Sequence, residues 1–86
     1  MNHKVKRYIS VFAKGGDELI DEINFIHKPN PAELRQIFGI NDPTDNLYNE
    51  YPIDTKTATK LNSLISGVFE LDKFDYFLSC ERLTDL

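Results

Sequence analysis

The sequence predicts a two-layer α+β domain in which a three-stranded, mainly antiparallel sheet packs on two helices, in the order β-β-α-α-β. Segments near both ends of the chain alternate apolar and polar residues, as strands do. Two segments between them combine helix-capping residues with apolar residues at helical spacing. At 86 residues the chain has room for one domain, which we expect to span residues 1–86.

The first two strands are predicted to form a hairpin. The alternation runs from residue 4 to residue 13, and its later half is apolar on both faces, as in a central strand. A Gly-Gly pair follows, and glycine supplies the positive φ that tight hairpin turns require. The return strand, residues 18–27, is acidic where the first strand is basic. We therefore expect cross-strand charge pairs to involve Asp21 and Glu22.

Both predicted helices begin at a capping residue. Asn30 and Pro31 fit the N-cap and first position of a short helix, which Gly39 ends. Asp54 is the expected N-cap of a second helix that runs to about Ser66. The apolar stripe of this second helix consists of Ala58, Leu61, Leu64, Ile65 and Val68.

The last predicted element is a strand from Lys73 to Arg82, where apolar residues alternate with polar ones. We expect it to pair beside the first strand, which then lies in the middle of the sheet. Residues 40–53, which lie between the two helices, show neither helical nor strand periodicity. They are predicted to form a long irregular loop, and such loops in compact domains are usually functional or mobile.

Charge is distributed unevenly along a chain whose net charge is −4. Residues 1–14 contain four bases and no acid, whereas residues 15–54 contain nine acids and two bases. With a pI near 5.0, this pattern disfavours direct nucleic-acid binding, which needs a clustered basic face. It favours a basic protein partner, because opposed potentials speed encounter.

The sequence also indicates where the protein works. No apolar run reaches the ~20 residues of a membrane-spanning helix, and the charged N-terminus is not followed by a signal-peptide core. The single cysteine, Cys80, cannot form an internal disulfide, which fits a reducing compartment. We therefore expect a cytoplasmic protein that does not associate with membranes.

No pattern typical of catalysis or cofactor binding is present. His3 and His27 have no partners at metal-ligand spacing, and the Gly-Gly pair lacks the rest of a phosphate-binding loop. The acids of residues 40–53 lack the ligand spacing and central glycine of a calcium loop. We expect no enzyme activity, no cofactor and no metal.

The predicted binding site is the acidic, aromatic loop and the helix start after it. Tyrosine provides a large contact area with a polar tip, and exposed acids form a suitable rim for a basic partner. The predicted contact residues are Asp42, Asp45, Tyr48, Glu50, Tyr51 and Asp54. In the alternative interpretation, Leu47, Tyr48 and Ile53 plug the loop onto the core and the acids merely face water.

Several short motifs distributed over residues 6–81 resemble small bacterial immunity proteins of contact-dependent growth inhibition and polymorphic-toxin loci. The resemblance implies a cytoplasmic antidote that binds one toxin's C-terminal domain, often a nuclease, and blocks its active site or an essential surface. It brings no catalytic residues with it. The motifs are Phe12-Ala13-Lys14, Glu18-Leu-Ile-Asp-Glu-Ile, Leu34-Arg-Gln-Ile-Phe-Gly, the segment from Asp42-Pro43 to Tyr51-Pro52-Ile53, and Phe74-Asp-Tyr-Phe-Leu.

The sequence hypothesis is therefore an immunity protein that neutralises a cognate toxin domain by tight one-to-one binding. A basic nuclease is the expected partner, because a nuclease presents a positive cleft to phosphates and an acidic protein can occupy that cleft. Two alternatives remain open at this point. One is an adaptor that binds a non-toxin protein, and the other is a small ligand-binding domain or enzyme.

Overall fold

Residues 5–83, the part of the chain that the computed structural model describes, form an α+β fold with four strands and two helices. Neither helix in this part is long and apolar enough to cross a lipid bilayer. The elements, in chain order, are β1 (Val5–Ala13), β2 (Leu19–Asn24), α1 (Pro31–Phe38), β3 (Tyr51–Pro52), α2 (Thr55–Leu61) and β4 (Phe74–Arg82).

The strands form one antiparallel sheet in the order β2-β1-β4-β3. The predicted α+β class and the pairing of the last strand beside the first are confirmed. The prediction of three strands is wrong, because residues within the expected irregular loop form β3 on the free edge of β4. Tyr51 pairs with Leu78 and Pro52 with Phe77. Proline fits this edge position because it has no N–H to donate to a further strand.

The predicted hairpin joins β1 to β2. Gly15 has a φ of 69°, and the N–H of Gly16 donates to the carbonyl of Ala13 at 2.9 Å. Within residues 5–83, the expected cross-strand charge pairs of Asp21 and Glu22 are not formed. The register places Glu22 opposite Ser10 and Asp21 opposite Val11, so neither acid faces a base of the first strand.

Helix α1 begins and ends as its sequence predicts. The side-chain oxygen of Asn30 accepts a hydrogen bond from the N–H of Ala32 at 2.8 Å, and Pro31 occupies the first helical position. Gly39 ends the helix with a φ of 69°, a left-handed conformation that glycine adopts without steric cost. Leu34 is the buried anchor of the helix.

Helix α2 begins where predicted but ends earlier. The carboxylate of Asp54 accepts a hydrogen bond from the N–H of Thr57 at 2.8 Å and caps the helix. The helix ends at Leu61 rather than near Ser66, because the chain then pairs with the segment after β2. Ile65 forms a bridge with Phe25. The N–H of Ile26 donates to the carbonyl of Leu64 and the N–H of Ser66 donates to that of Asn24, and these hydrogen bonds replace the last helical turn.

The core joins one face of the sheet to both helices. The predicted stripe of the second helix is buried at three of its positions, Ala58, Leu61 and Ile65, whereas Val68 is 69% exposed. The largest fully buried side chains are Ile9, Leu34, Leu47, Leu61 and Leu78.

The opposite face of the sheet, named here the second face, follows from the pleat of β1 and β4. Side chains of successive residues in a strand point to opposite faces. Because Ile9 and Leu78 point into the core, their neighbours along each strand point away from it. At the centre of the second face are Tyr8, Ser10, Phe12, Phe77 and Ser79.

Candidate functional site

The loop between α1 and β3 is ordered by one of its own acids. One carboxylate oxygen of Asp45 accepts from the N–H of Leu47 at 2.8 Å, and the other accepts from the hydroxyl of Tyr51 at 2.6 Å. The hydroxyl and then the amide stabilise the charged form, so the pKa of Asp45 is lowered. The same contact raises the pKa of Tyr51. Two predicted site residues are therefore in direct contact, with a role inside the loop.

Two arginines from other elements hold the loop by its backbone. Arg35 of α1 donates from Nη1 to the carbonyl oxygen of Asp45 at 2.9 Å. Arg7 of β1 donates from Nη2 to the carbonyl oxygen of Asn46. Neither arginine was among the predicted site residues. The available signal was Arg7 itself, a charged residue on the apolar face of a predicted central strand.

Leu47 fixes the centre of the loop. Its side chain is fully buried, and its backbone has a φ of 56°, a left-handed conformation that costs free energy in a residue with a Cβ atom. Ile53 is also buried, at 6% exposure. The alternative interpretation is therefore right that Leu47 and Ile53 plug the loop onto the core.

Tyr48 is not a core plug. Its side chain is 57% exposed, and the guanidinium of Arg7 lies 5.8 Å from the centre of its ring. Tyr48 also lines a groove of about 250 Å³ with Val5, Cys80 and Arg82. This is the position that an aromatic contact residue needs, since one side of the ring is supported and the other is accessible.

The remaining acids of the predicted site differ in their surroundings. Asp42 accepts hydrogen bonds from the backbone N–H and the hydroxyl of Thr44, at 2.9 and 2.7 Å, and these bonds lower its pKa. The capping bonds with Thr57 lower the pKa of Asp54 in the same way. Local roles in the fold therefore account for Asp42 and Asp54. Glu50 is exposed and is best placed to meet a partner.

Side chains capable of metal or ligand binding also occur outside this loop. Within residues 5–83, no three His, Cys, Asp or Glu side chains come close enough together to hold a metal ion. His27 is exposed and lines a groove of about 470 Å³ with Lys6, Arg7 and Lys28, among others. The three bases give this groove a positively charged lining. His3 lies outside the described residues.

Comparison with known proteins gives one family match. A family model described as "Domain of unknown function (DUF7683)" matches residues 6–79. No curated protein and no solved structure matches the chain. The matched segment contains the hairpin turn, both helices, β3 and the whole loop.

Proposed function

This chain belongs to the DUF7683 family, a domain of unknown function, and we propose from the geometry of its loop that it is an immunity protein. It binds the C-terminal domain of a cognate toxin, a basic nuclease, in the cytoplasm and neutralises it by protein–protein binding. The observation that carries the proposal is the exposed ring of Tyr48 on a fixed loop. The backbone of this loop is held before Tyr48 by two arginines and after it by strand β3. The resemblance of the sequence motifs to immunity proteins of toxin loci supports the same role.

Order in the loop favours tight binding. Binding is weakened when a flexible segment must be ordered, so a loop that is fixed before contact retains more of its interaction free energy. Here the backbone next to Tyr48 is held by the side chains of Asp45 and Leu47 and by two arginines. Tyr48 can therefore act as a preformed aromatic anchor, the kind of residue that dominates many interfaces.

Charge favours a basic partner. Exposed acids precede and follow Tyr48 in the sequence, at Asp42 and Glu50, and the whole chain carries a net charge of −4. An acidic surface accelerates the approach of a positively charged domain and disfavours acidic ones. In this proposal the two helices form one layer of a two-layer fold, and the loop between them presents the anchor.

The proposal assigns no catalytic residue to the chain. The partner's active site, or a surface that it needs, is covered by the loop. Tyr48 provides the main contact, and Glu50 provides steering. The carboxylates of Asp45 and Asp54 act indirectly, because they hold the loop and the start of α2 in place.

Co-expression tests this function. The chain is expressed with the C-terminal domain encoded by the gene directly upstream, and cell growth and co-purification are measured. We expect growth to be rescued and a one-to-one complex to form. Absence of both rescue and co-purification refutes the proposal. If growth is not rescued and the chain instead co-purifies with a different protein, the result supports the adaptor alternative.

Tyr48→Ala locates the anchor. This change should weaken the complex by ~2 kcal/mol, about thirty-fold in Kd, with an unchanged melting temperature, because the ring is exposed. Val68→Ala is the matched control, since Val68 is also a highly exposed apolar residue. Wild-type affinity for Tyr48→Ala would exclude Tyr48 as the anchor.

Glu50→Lys should slow association by about three-fold at low salt and less at high salt.

A further inference from the structure

The second face of the sheet carries aromatic rings around a pair of serines. The hydroxyls of Ser10 and Ser79 are hydrogen-bonded at 2.6 Å, and the two residues are only 4% and 3% exposed. Phe12 and Phe77 meet edge to face, with 5.6 Å between ring centres. The rings of Tyr8, Phe12 and Phe77 are only half-buried themselves. The serines are thus covered by aromatic side chains that remain accessible from outside.

Acids from three parts of the chain lie around Tyr8, and the register places two of them on the second face, Glu22 opposite Ser10 and Glu81 opposite Lys6. Burial raises the pKa of Tyr8, and the charges of Glu22, Glu81 and Glu50 raise it further. These three glutamates come from β2, β4 and the loop, respectively, and all are exposed. The nearby carboxylate of Asp75 is paired with Lys14 at 3.2 Å. The three glutamates outnumber Lys6, the cation that lies opposite Glu81 on this face, so negative charge is in excess.

A cation already stacks on this face. The Nζ of Lys6 lies 5.7 Å from the centre of the Tyr8 ring, within the range at which a ring attracts a cation. An aromatic cluster within an acidic rim is suited to arginine, whose flat guanidinium stacks on rings and binds carboxylates. A second copy of the chain is disfavoured as the occupant, because it would bring the same glutamates against one another.

We infer that the second face is a docking surface for a basic, arginine-bearing segment of a protein partner. Guanidinium groups stack on Phe77 and, in place of Lys6, on Tyr8. Glu22 and Glu81 pair with their charges. The charge of Glu50 also acts on Tyr8, so Glu50 lies at the edge of this surface. In naming a basic protein as the occupant, the inference rests on the proposed function.

Titration with simple peptides tests this surface directly. Hexa-arginine, hexalysine and hexaglutamate are added in turn to the full chain, and backbone amide shifts are followed by NMR. We expect hexa-arginine to shift residues of the second face in a saturable, salt-sensitive manner. Hexalysine should bind less tightly and hexaglutamate should not bind. Shifts confined to the loop or to the groove beside His27 would overturn the inference.

Matched charge reversals separate a local site from net charge. Glu22→Lys with Glu81→Lys should weaken hexa-arginine binding about ten-fold. The control, Glu33→Lys with Asp72→Lys, makes the same charge change at exposed positions of α1 and a turn, and should alter it less than two-fold. Equal losses in both double variants would show attraction by net charge alone and would refute a docking surface. Thermal melts establish that both variants fold.

Phe77→Leu tests the contribution of the ring. Leucine keeps an apolar side chain but removes the π face, so the preference for hexa-arginine over hexalysine should fall about two- to five-fold. An unchanged preference would refute stacking.

The upstream toxin domain distinguishes the two proposals. If this domain does not bind but hexa-arginine still maps to the second face, only the proposed function fails. If it binds wild type and the Glu22/Glu81 variant equally, only this inference fails.

Discussion

Leu47 allows a direct test of backbone strain in the binding loop. Its side chain is fully buried and its φ is 56°. Truncation to alanine should cost about 2–5 kcal/mol of unfolding free energy, the usual range for a buried leucine. Alanine keeps the Cβ atom, so it also keeps the steric cost of the left-handed conformation, about 1–2 kcal/mol. Glycine removes that cost.

The free energies of unfolding of the two variants should therefore be unusually close at this position. At an ordinary buried site, glycine is less stable than alanine by about 1–2 kcal/mol, from one further lost carbon and a more flexible unfolded chain. At Leu47 the relief of strain offsets this difference. We expect Leu47→Gly and Leu47→Ala to unfold within about 0.5 kcal/mol of each other, because these terms are similar in size.

Leu61 supplies the matched control, because it is also fully buried but lies in α2. There Leu61→Gly should be less stable than Leu61→Ala by the ordinary margin, about 1–2 kcal/mol. Urea denaturation measures all four variants, with unchanged m-values as the condition for comparison. If glycine is worse than alanine by the same margin at both positions, the left-handed conformation of Leu47 carries no cost and the reasoning is wrong.

Three further predictions concern stability. Leu61→Ala should cost about 2–4 kcal/mol in urea melts, and Val68→Ala less than about 0.5 kcal/mol, whereas equal losses would show that the side chain of Leu61 is not in the core. The lowered pKa values of Asp45 and Asp54 mean that their contribution is complete above the ordinary carboxyl value of 3.8 and is lost as pH falls through the lowered values. Thermal melts between about pH 5 and pH 2 should show this loss, and a flat profile would contradict it. The raised pKa of Tyr51 gives stability that is complete below its ordinary value of 10.0 and is lost as pH rises through the raised value. Tyr51→Phe should reduce this alkaline loss to the part that comes from Tyr8, whose pKa is also raised, and an unchanged profile would show that Tyr51 does not contribute.

Features that depend on neighbouring residues were predicted well. Asn30, Gly39 and Asp54 cap helices through contacts within a few residues, so their roles are visible in the sequence. The early end of α2 could not be predicted in this way. It depends on the bridge from Ile65 to Phe25, forty residues earlier in the chain, and local apolar spacing contains no information about that pairing.

The loop shows the same limit within the site. Its residues have no periodicity, so the sequence could not tell that Leu47 is buried while Tyr48 is exposed. The clamp from Arg7 joins residues 39 positions apart. The two-residue strand β3 is too short to alternate, and it was therefore missed. The acidic, tyrosine-rich composition did mark the segment as unusual, but the division of its residues between internal support and surface required the fold.

The two arginine clamps have a consequence for how recognition could diverge. Both bind carbonyl oxygens, at Asp45 and Asn46, and every residue type provides a carbonyl oxygen. The side chains of Tyr48, Asn49 and Glu50 point outward from the loop and are exposed. Substitutions at these three positions leave the clamping groups intact. The same framework could therefore present different side chains to different partners. Grafting these three residues could transfer specificity between chains of this fold.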